Sequence, residues 1–219
     1  MPLATIEQPV SSLDAVRVIA DTNVVFLNVS WDQYVATRAA VDSKTPITFD
    51  QGKMEIMASP VSLMHADDNA LLMLLIQQYL IETDQRFQVL MDVTLRHPDI
   101  DGGCEPDGCF YIRATPPPRG IVHIDLSHHA APDLVIEIDL TSHSVDKEPV
   151  YFRLGVAEVW RWENQRLQVR ALGDDGYVDA DASELLPGLP IDTLGDCMRS
   201  ARTMSQHEVV KRWRDQVKG

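Results

Sequence analysis

The run Pro132-Asp133-Leu134-Val135-Ile136-Glu137-Ile138-Asp139 holds three carboxylates in a stretch otherwise apolar enough for the inside of a sheet. Its β-branched and aliphatic residues predict a strand. Strand side chains alternate faces, so Asp133, Val135, Glu137 and Asp139 share one side and Leu134, Ile136 and Ile138 the other. Burying an unpaired carboxylate is very costly. Something cationic must therefore face this side: a metal, a lysine or both. Lys147 follows ten residues after Glu137.

A second acid widens the pattern. Asp107 opens another predicted strand, directly after Glu105-Pro106. If the two strands are neighbours, Asp107 and Glu137 meet across the ladder with their Cβ atoms about 5 Å apart. Carboxylates that close repel unless a cation intervenes. Hard oxygen donors with open positions suit Mg²⁺ or Mn²⁺, which keep sites for water and substrate phosphate. Lys147 could then supply positive charge toward a developing phosphorane or orient the attacking water. The implied chemistry is metal-assisted phosphodiester hydrolysis. A structural ion pair between Glu137 and Lys147 also accounts for the spacing, and on spacing alone it is the commoner arrangement.

Local signals organise the rest of the chain. Residues 1 to 29 read as a weakly organised extension, although Asn23 to Val29 is apolar enough to add a strand. Ser30-Trp31-Asp32-Gln33 has the form of a capping box opening a helix. Short strands at Ile47–Phe49 and Lys53–Met57 turn about Asp50-Gln51-Gly52. The strongest helix runs from Leu63 to Glu82, with His65, Asn69, Leu72 and Ile76 on one face. Strands at Phe87–Leu95 and Gly108–Ile112 flank a Gly- and Asp-rich loop, and 116–131 reads as an exposed Pro- and His-rich loop. A short helix over Ser144–Leu154 is limited by Pro149. A hairpin, Val156–Trp162 and Leu167–Leu172, and a capped helix from Ser205 complete the chain.

Charge limits the partners. The 33 acidic residues against 19 Lys and Arg leave a formal charge of −14, with a basic run only near Lys211, Arg212 and Arg214. A protein that grips phosphates usually shows a basic face, so this balance argues against tight DNA binding. No apolar stretch is long enough to span a membrane, since Gln77 and Gln78 interrupt the best one. No secretory signal is visible, and the three cysteines lack zinc-type spacing, so a reducing cytoplasm is expected.

Five spaced blocks carry a family likeness. They are Gly52-Lys53-Met54-Glu55-Ile56-Met57 with His65, Glu105-Pro106-Asp107, the acidic strand, Asp146-Lys147-x-Pro149-x-Tyr151, and Gly155-Val156-x-Glu158-Val159-Trp160-Arg161. Over residues 45 to 165 the chain resembles the Uma-two family of restriction-endonuclease-like proteins, within the PD-(D/E)XK nuclease superfamily. The resemblance implies an α/β (α+β) fold, a mixed β-sheet core flanked by helices. It also implies a Mg²⁺-dependent endonuclease acting on DNA, with Asp107 and Glu137 as metal ligands and Lys147 as catalytic lysine. The chain departs from the superfamily signature in one respect: the usual lysine position, two residues beyond the acid, holds Asp139. His65 matches the family's histidine on the long helix, and His65, Asp139 and Glu105 are expected as supporting residues.

Residues 1–44 are then an N-terminal extension with a short helix, 45–172 the nuclease-like core, and 173–219 a C-terminal segment packed on the same domain. A homodimer is expected from apolar surface on the Trp160/Trp162 hairpin and the terminal helix. The alternative reading is a catalytically inactive nuclease fold serving as an interaction or accessory protein. His123, His128 and His129 with Asp125 form a weaker transition-metal candidate, for which an exposed polar loop is the simpler account.

Overall fold

The fold is described from a computed structural model that covers residues 16–19, 23–42, 45–57, 62–121, 124–139 and 146–218. Strand β1 (Val16–Ile19) pairs antiparallel with β2 (Asn23–Phe26), inside the segment expected to be weakly organised. The capping box forms as expected: Ser30 Oγ accepts the Gln33 N–H, and the Gln33 side chain accepts the Ser30 N–H at 2.7 Å. It opens α1 (Trp31–Ala40). Gln51 and Gly52 both take positive φ, 44° and 88°. Two such residues make the tight turn whose twist matches paired strands, and here it folds β3 (Ile47–Asp50) onto β4 (Lys53–Met57).

Helix α2 (Leu63–Glu82) has the bounds its sequence predicts, capped by Ser62 Oγ on the His65 N–H. The next expected strand, Phe87–Leu95, is in fact two: β5 (Gln88–Leu90) and β6 (Leu95–His97). Asp92 between them adopts φ 54°, a left-handed conformation no continuous strand accommodates. The Gly- and Asp-rich loop contains a 3-10 turn at Pro98–Ile100 and β7 (Gly102–Cys104). Then come β8 (Gly108–Tyr111), β9 (Leu134–Asp139), α3 (Glu148–Leu154), β10 (Glu158–Glu163), β11 (Arg166–Leu172) and β12 (Tyr177–Ala180). Asn164 and Gln165, both at positive φ, make the β10–β11 turn. Helices α4 (Ile191–Ser200) and α5 (Gln206–Val217) end the described chain.

These strands build two six-stranded sheets, ordered β1-β2-β4-β3-β7-β6 and β12-β11-β10-β9-β8-β5. The first is antiparallel throughout. The second is mixed, because β9 and β10 run parallel and α3 lies in the connection between them. One face of the second sheet, with Leu134, Ile136, Ile138, Trp160 and Trp162, packs on α2, α4 and α5. The other face, with Val135, Cys109 and Val159, packs on α3 and on Leu95 and Cys104 of the first sheet.

Trp160 and Trp162 are at most 1% exposed and Trp213 of α5 is fully buried. They are core residues and do not supply the apolar outer surface on which a dimer was expected. Trp213 Nε1 also donates to the Leu75 carbonyl at 2.8 Å, which locks α5 against α2. Among the described residues no helix is long and apolar enough to cross a membrane.

Candidate active site

The apolar residues of β9 bury it on both faces, from Leu134 to Ile138. Asp133 lies just before the strand. Its carboxylate accepts the N–H groups of Ile112, Arg113 and Ala114 at 2.7 to 2.9 Å, so it fastens the chain leaving β8 and takes no part in a cation site. Glu137 is thus the acid that β9 carries into the interior. Asp139 ends β9 in register with Glu163, and its side chain lies outside the described residues.

The last β8–β9 pair is Gly108 with Ile136, so the next step along the ladder sets Asp107 opposite Glu137. Asp107 is held there from three sides. Its Oδ2 accepts the Ile138 N–H at 2.7 Å, its Oδ1 lies 3.2 Å from His65 Nε2, and its carbonyl accepts from Asn69 Nδ2 at 3.1 Å. His65 and Asn69 stand one turn apart on α2, which points both at the end of β8. Burial pushes the Asp107 carboxyl up, but the His65 hydrogen bond, the nearby Lys147 charge and the Ile138 amide outweigh it and hold the group below the ordinary carboxylate range. For His65, burial favours the neutral ring, and the Asp107 hydrogen bond and charge reverse this, raising it above the usual value.

Lys147 is the residue immediately before α3, and its ammonium reaches Glu137 Oε2 at 2.8 Å, Oε1 at 3.1 Å and the Glu105 carbonyl at 3.0 Å. Burial pulls its pKa down; the charges of Glu137 and Asp107 overcome this and raise it above the ordinary lysine value. Tyr151, one helical turn later, donates its hydroxyl to Glu137 Oε1. That tyrosine, like Asn69, was not singled out as a site residue, although its i+4 spacing from Lys147 was a readable signal.

The carboxylate of Glu105 points elsewhere. It accepts from Arg38 at 2.9 Å, Thr94 Oγ1 at 3.0 Å and the Ile47 N–H at 3.3 Å. Only its backbone carbonyl serves the site. Arg161 is the in-register neighbour of Glu137 on β10, and its guanidinium lies 3.1 Å from Asp146 and 3.5 Å from Glu148. The loop histidines are separate from all of this: His128 and Asp125 are exposed and 3.2 Å apart, and His123 lies outside the described residues.

Asp107 and Glu137 offer hard oxygen donors. Among the described residues no group of three or more His, Cys, Asp and Glu side chains could hold an ion by itself. Two buried polar atoms beside Asp107, His65 Nδ1 and Asn69 Oδ1, lack hydrogen-bond partners. Two carboxylates, short of the donor set of a closed protein cage, suit a cation that retains most of its water, as Mg²⁺ does.

Comparison with known proteins agrees with this architecture. A solved structure from Anabaena variabilis, described as a "putative nuclease belonging to DUF820", matches with a TM-score of 0.50 at 15% identity, over 85% of this chain and 99% of that one. At that identity the likeness speaks for the fold, which is nuclease-like. No protein of curated function matches the sequence. A family model described as "Putative restriction endonuclease" matches residues 31–197, the greater part of the chain, and the protein therefore belongs to the Uma2 family.

Proposed function

We propose that the protein is a metal-dependent nuclease that hydrolyses phosphodiester bonds, with Asp107 and Glu137 as ligands to Mg²⁺ or Mn²⁺. The observation that carries this reading is the placement of two acids at the end of one ladder, with a buried lysine fixed between Glu137 and the Glu105 carbonyl. When bound, the ion would polarise the scissile phosphate and activate a water. The protein's own groups do the rest. Lys147, held protonated, acts through charge and hydrogen bonding and is not a base: it offsets negative charge developing on the phosphoryl oxygens. Tyr151 and Lys147 fix the Glu137 carboxylate, and the Ile138 amide and His65 fix that of Asp107, so neither acid must be organised when substrate arrives.

Cleavage of a plasmid or a labelled oligonucleotide with Mg²⁺ or Mn²⁺ tests the proposal. Activity is expected in the wild type and absent from Glu137→Ala and Asp107→Asn. Equal background cleavage by all three would show that this site is not the catalyst.

The formal charge of −14 favours a second reading, an inactive nuclease fold that serves as an accessory module. Calorimetric titration separates the two. If millimolar Mg²⁺ and Mn²⁺ neither bind nor raise the melting temperature, the accessory role is the better account.

A further inference from the structure

Helix α2, the longest in the fold, carries an apolar line that the described residues leave uncovered. Leu63, Leu74 and Ile81 are 87%, 39% and 66% exposed. One exposed leucine is ordinary, but these three belong to a pattern. Leu63, Asp67, Ala70, Leu74, Gln77 and Ile81 follow at steps of four, three, four, three and four residues. On an α-helix all six fall within about 40° of one line, about 27 Å long. Alternating steps of four and three are the spacing of a helix that packs along another helix. Asp67 and Ala70 are exposed and Gln77 is half-buried, whereas Leu71, Leu72, Leu75 and Ile76 fill the faces turned to the core.

The line is its own complement. Read inward from one end it runs Leu63, Asp67, Ala70; from the other it runs Ile81, Gln77, Leu74. Both readings are apolar, polar, apolar. A half-turn about an axis level with Leu72 therefore sets Leu63 against the partner's Ile81, Asp67 against the partner's Gln77 and the small Ala70 against the partner's Leu74. The Gln77 amide spends one hydrogen on the Met73 carbonyl at 3.0 Å and keeps its other for the facing carboxylate.

Charge selects this direction. Helix α5 runs beside α2 in the same sense: Trp213 meets the Leu75 carbonyl, and Lys218 lies 3.6 Å from Glu82. Lys211 and Arg214 thus line the groove beside Gln78, next to the C-terminal half of the line, while Asp67 stands in its N-terminal half. Antiparallel copies bring each Asp67 to the partner's basic edge. Parallel copies would set Asp67 against Asp67.

We propose that α2 is a homodimer interface, packed antiparallel against α2 of a second copy about a two-fold axis level with Leu72. Such an interface is isologous and closes on itself. His65 lies about 160° around the helix from the line, so the contact uses none of the groups around Asp107 and Glu137. The proposal therefore stands apart from the nuclease reading.

Sedimentation of the full chain over a concentration series, at low salt and without metal, tests it. A dimer of the 24.5 kDa chain is expected. Leu74→Glu should raise its dissociation constant about a hundredfold or more, since the two-fold removes the contact twice. Leu172→Glu changes an apolar residue as exposed as Leu74 on β11 and should stay dimeric. Asp67→Lys should weaken the dimer about tenfold by facing the partner's basic edge. Adding Gln77→Glu should restore it, because the new carboxylate meets the partner's new lysine only in the antiparallel register. Unchanged far-UV dichroism and melting of the monomeric variants separates a lost contact from a lost fold. A monomer at every concentration, or a dimer that Leu74→Glu leaves intact, overturns the proposal. A charge pair that fails to restore the dimer overturns the antiparallel register. No cleavage is measured, so an inactive nuclease site leaves each of these outcomes unchanged.

Discussion

The ammonium of Lys147 lies 2.8 Å from Oε2 of Glu137, and the pair is buried, with 8% and 2% of the respective residues exposed. Removing one member leaves the other charge stranded in the interior, which typically costs about 3–5 kcal/mol. Glu137→Gln and Lys147→Met are each expected to destabilise the protein by about that much. The double variant Glu137→Gln with Lys147→Met should recover most of the loss. Urea unfolding of the four proteins forms the cycle that measures it.

Glu105 is expected to separate stability from metal binding. Glu105→Gln removes the charge that neutralises Arg38, a contact in which both side chains are largely buried, and should cost about 2–4 kcal/mol. The carbonyl that receives Lys147 is backbone and stays in place. Mn²⁺ affinity in calorimetry should therefore match wild type while the melting temperature falls.

Among the described residues Glu158 has no cationic partner, yet it is 2% exposed. Its carboxylate accepts four neutral donors: Trp160 Nε1, Ser183 Oγ and the N–H groups of Glu184 and Leu185. Glu158→Gln turns one acceptor into a donor that faces donors, at about 1–3 kcal/mol. Hydrogen exchange should show the loss concentrated in the amides of residues 184–186.

Of the three buried free cysteines, Cys104 and Cys109 have their thiols pushed up to about 12 by burial. Unfolded thiols ionise near pH 9, so between about pH 9 and 12 the unfolded chain releases protons the folded one keeps. Stability contributed by these thiols is full below pH 9 and is lost as pH rises through that window. At pH 8 a thiol reagent should label neither cysteine in the native protein and both in urea.

Much of this architecture was legible because it rests on local chemistry. The long apolar periodicity defines α2, and the Ser30 and Ser205 capping boxes place α1 and α5. What was missed depends on contacts distant in sequence. Gly102-Gly103 reads as loop, yet it forms a strand by pairing with β3 and β6, and the Tyr34 ring occupies the place a side chain on Gly103 would take. The break at Asp92 needs one left-handed residue that no periodicity announces.

At the site, alternation along β9 pointed to Glu137, and the Glu-Pro-Asp sequence pointed to Asp107. That Glu105 turns its carboxylate toward Arg38 could not be read, because the arginine is 67 residues away.

As a proposed metal ligand that also closes the ladder, Asp107 would do two jobs with one carboxylate. Its Oδ2 receives the Ile138 amide just past the last β8–β9 rung, so the side chain finishes the sheet where the backbone pairing stops. Truncating it to alanine would fray the strand end that carries Glu137, and a dead Asp107→Ala enzyme would confound a lost ligand with a displaced one. Asparagine keeps an oxygen for the amide and removes only the charge. The structural duty alone has a consequence: a chain of this fold without catalytic activity would still be penalised for losing this aspartate, so its presence in a relative testifies to an intact sheet before it testifies to an active enzyme.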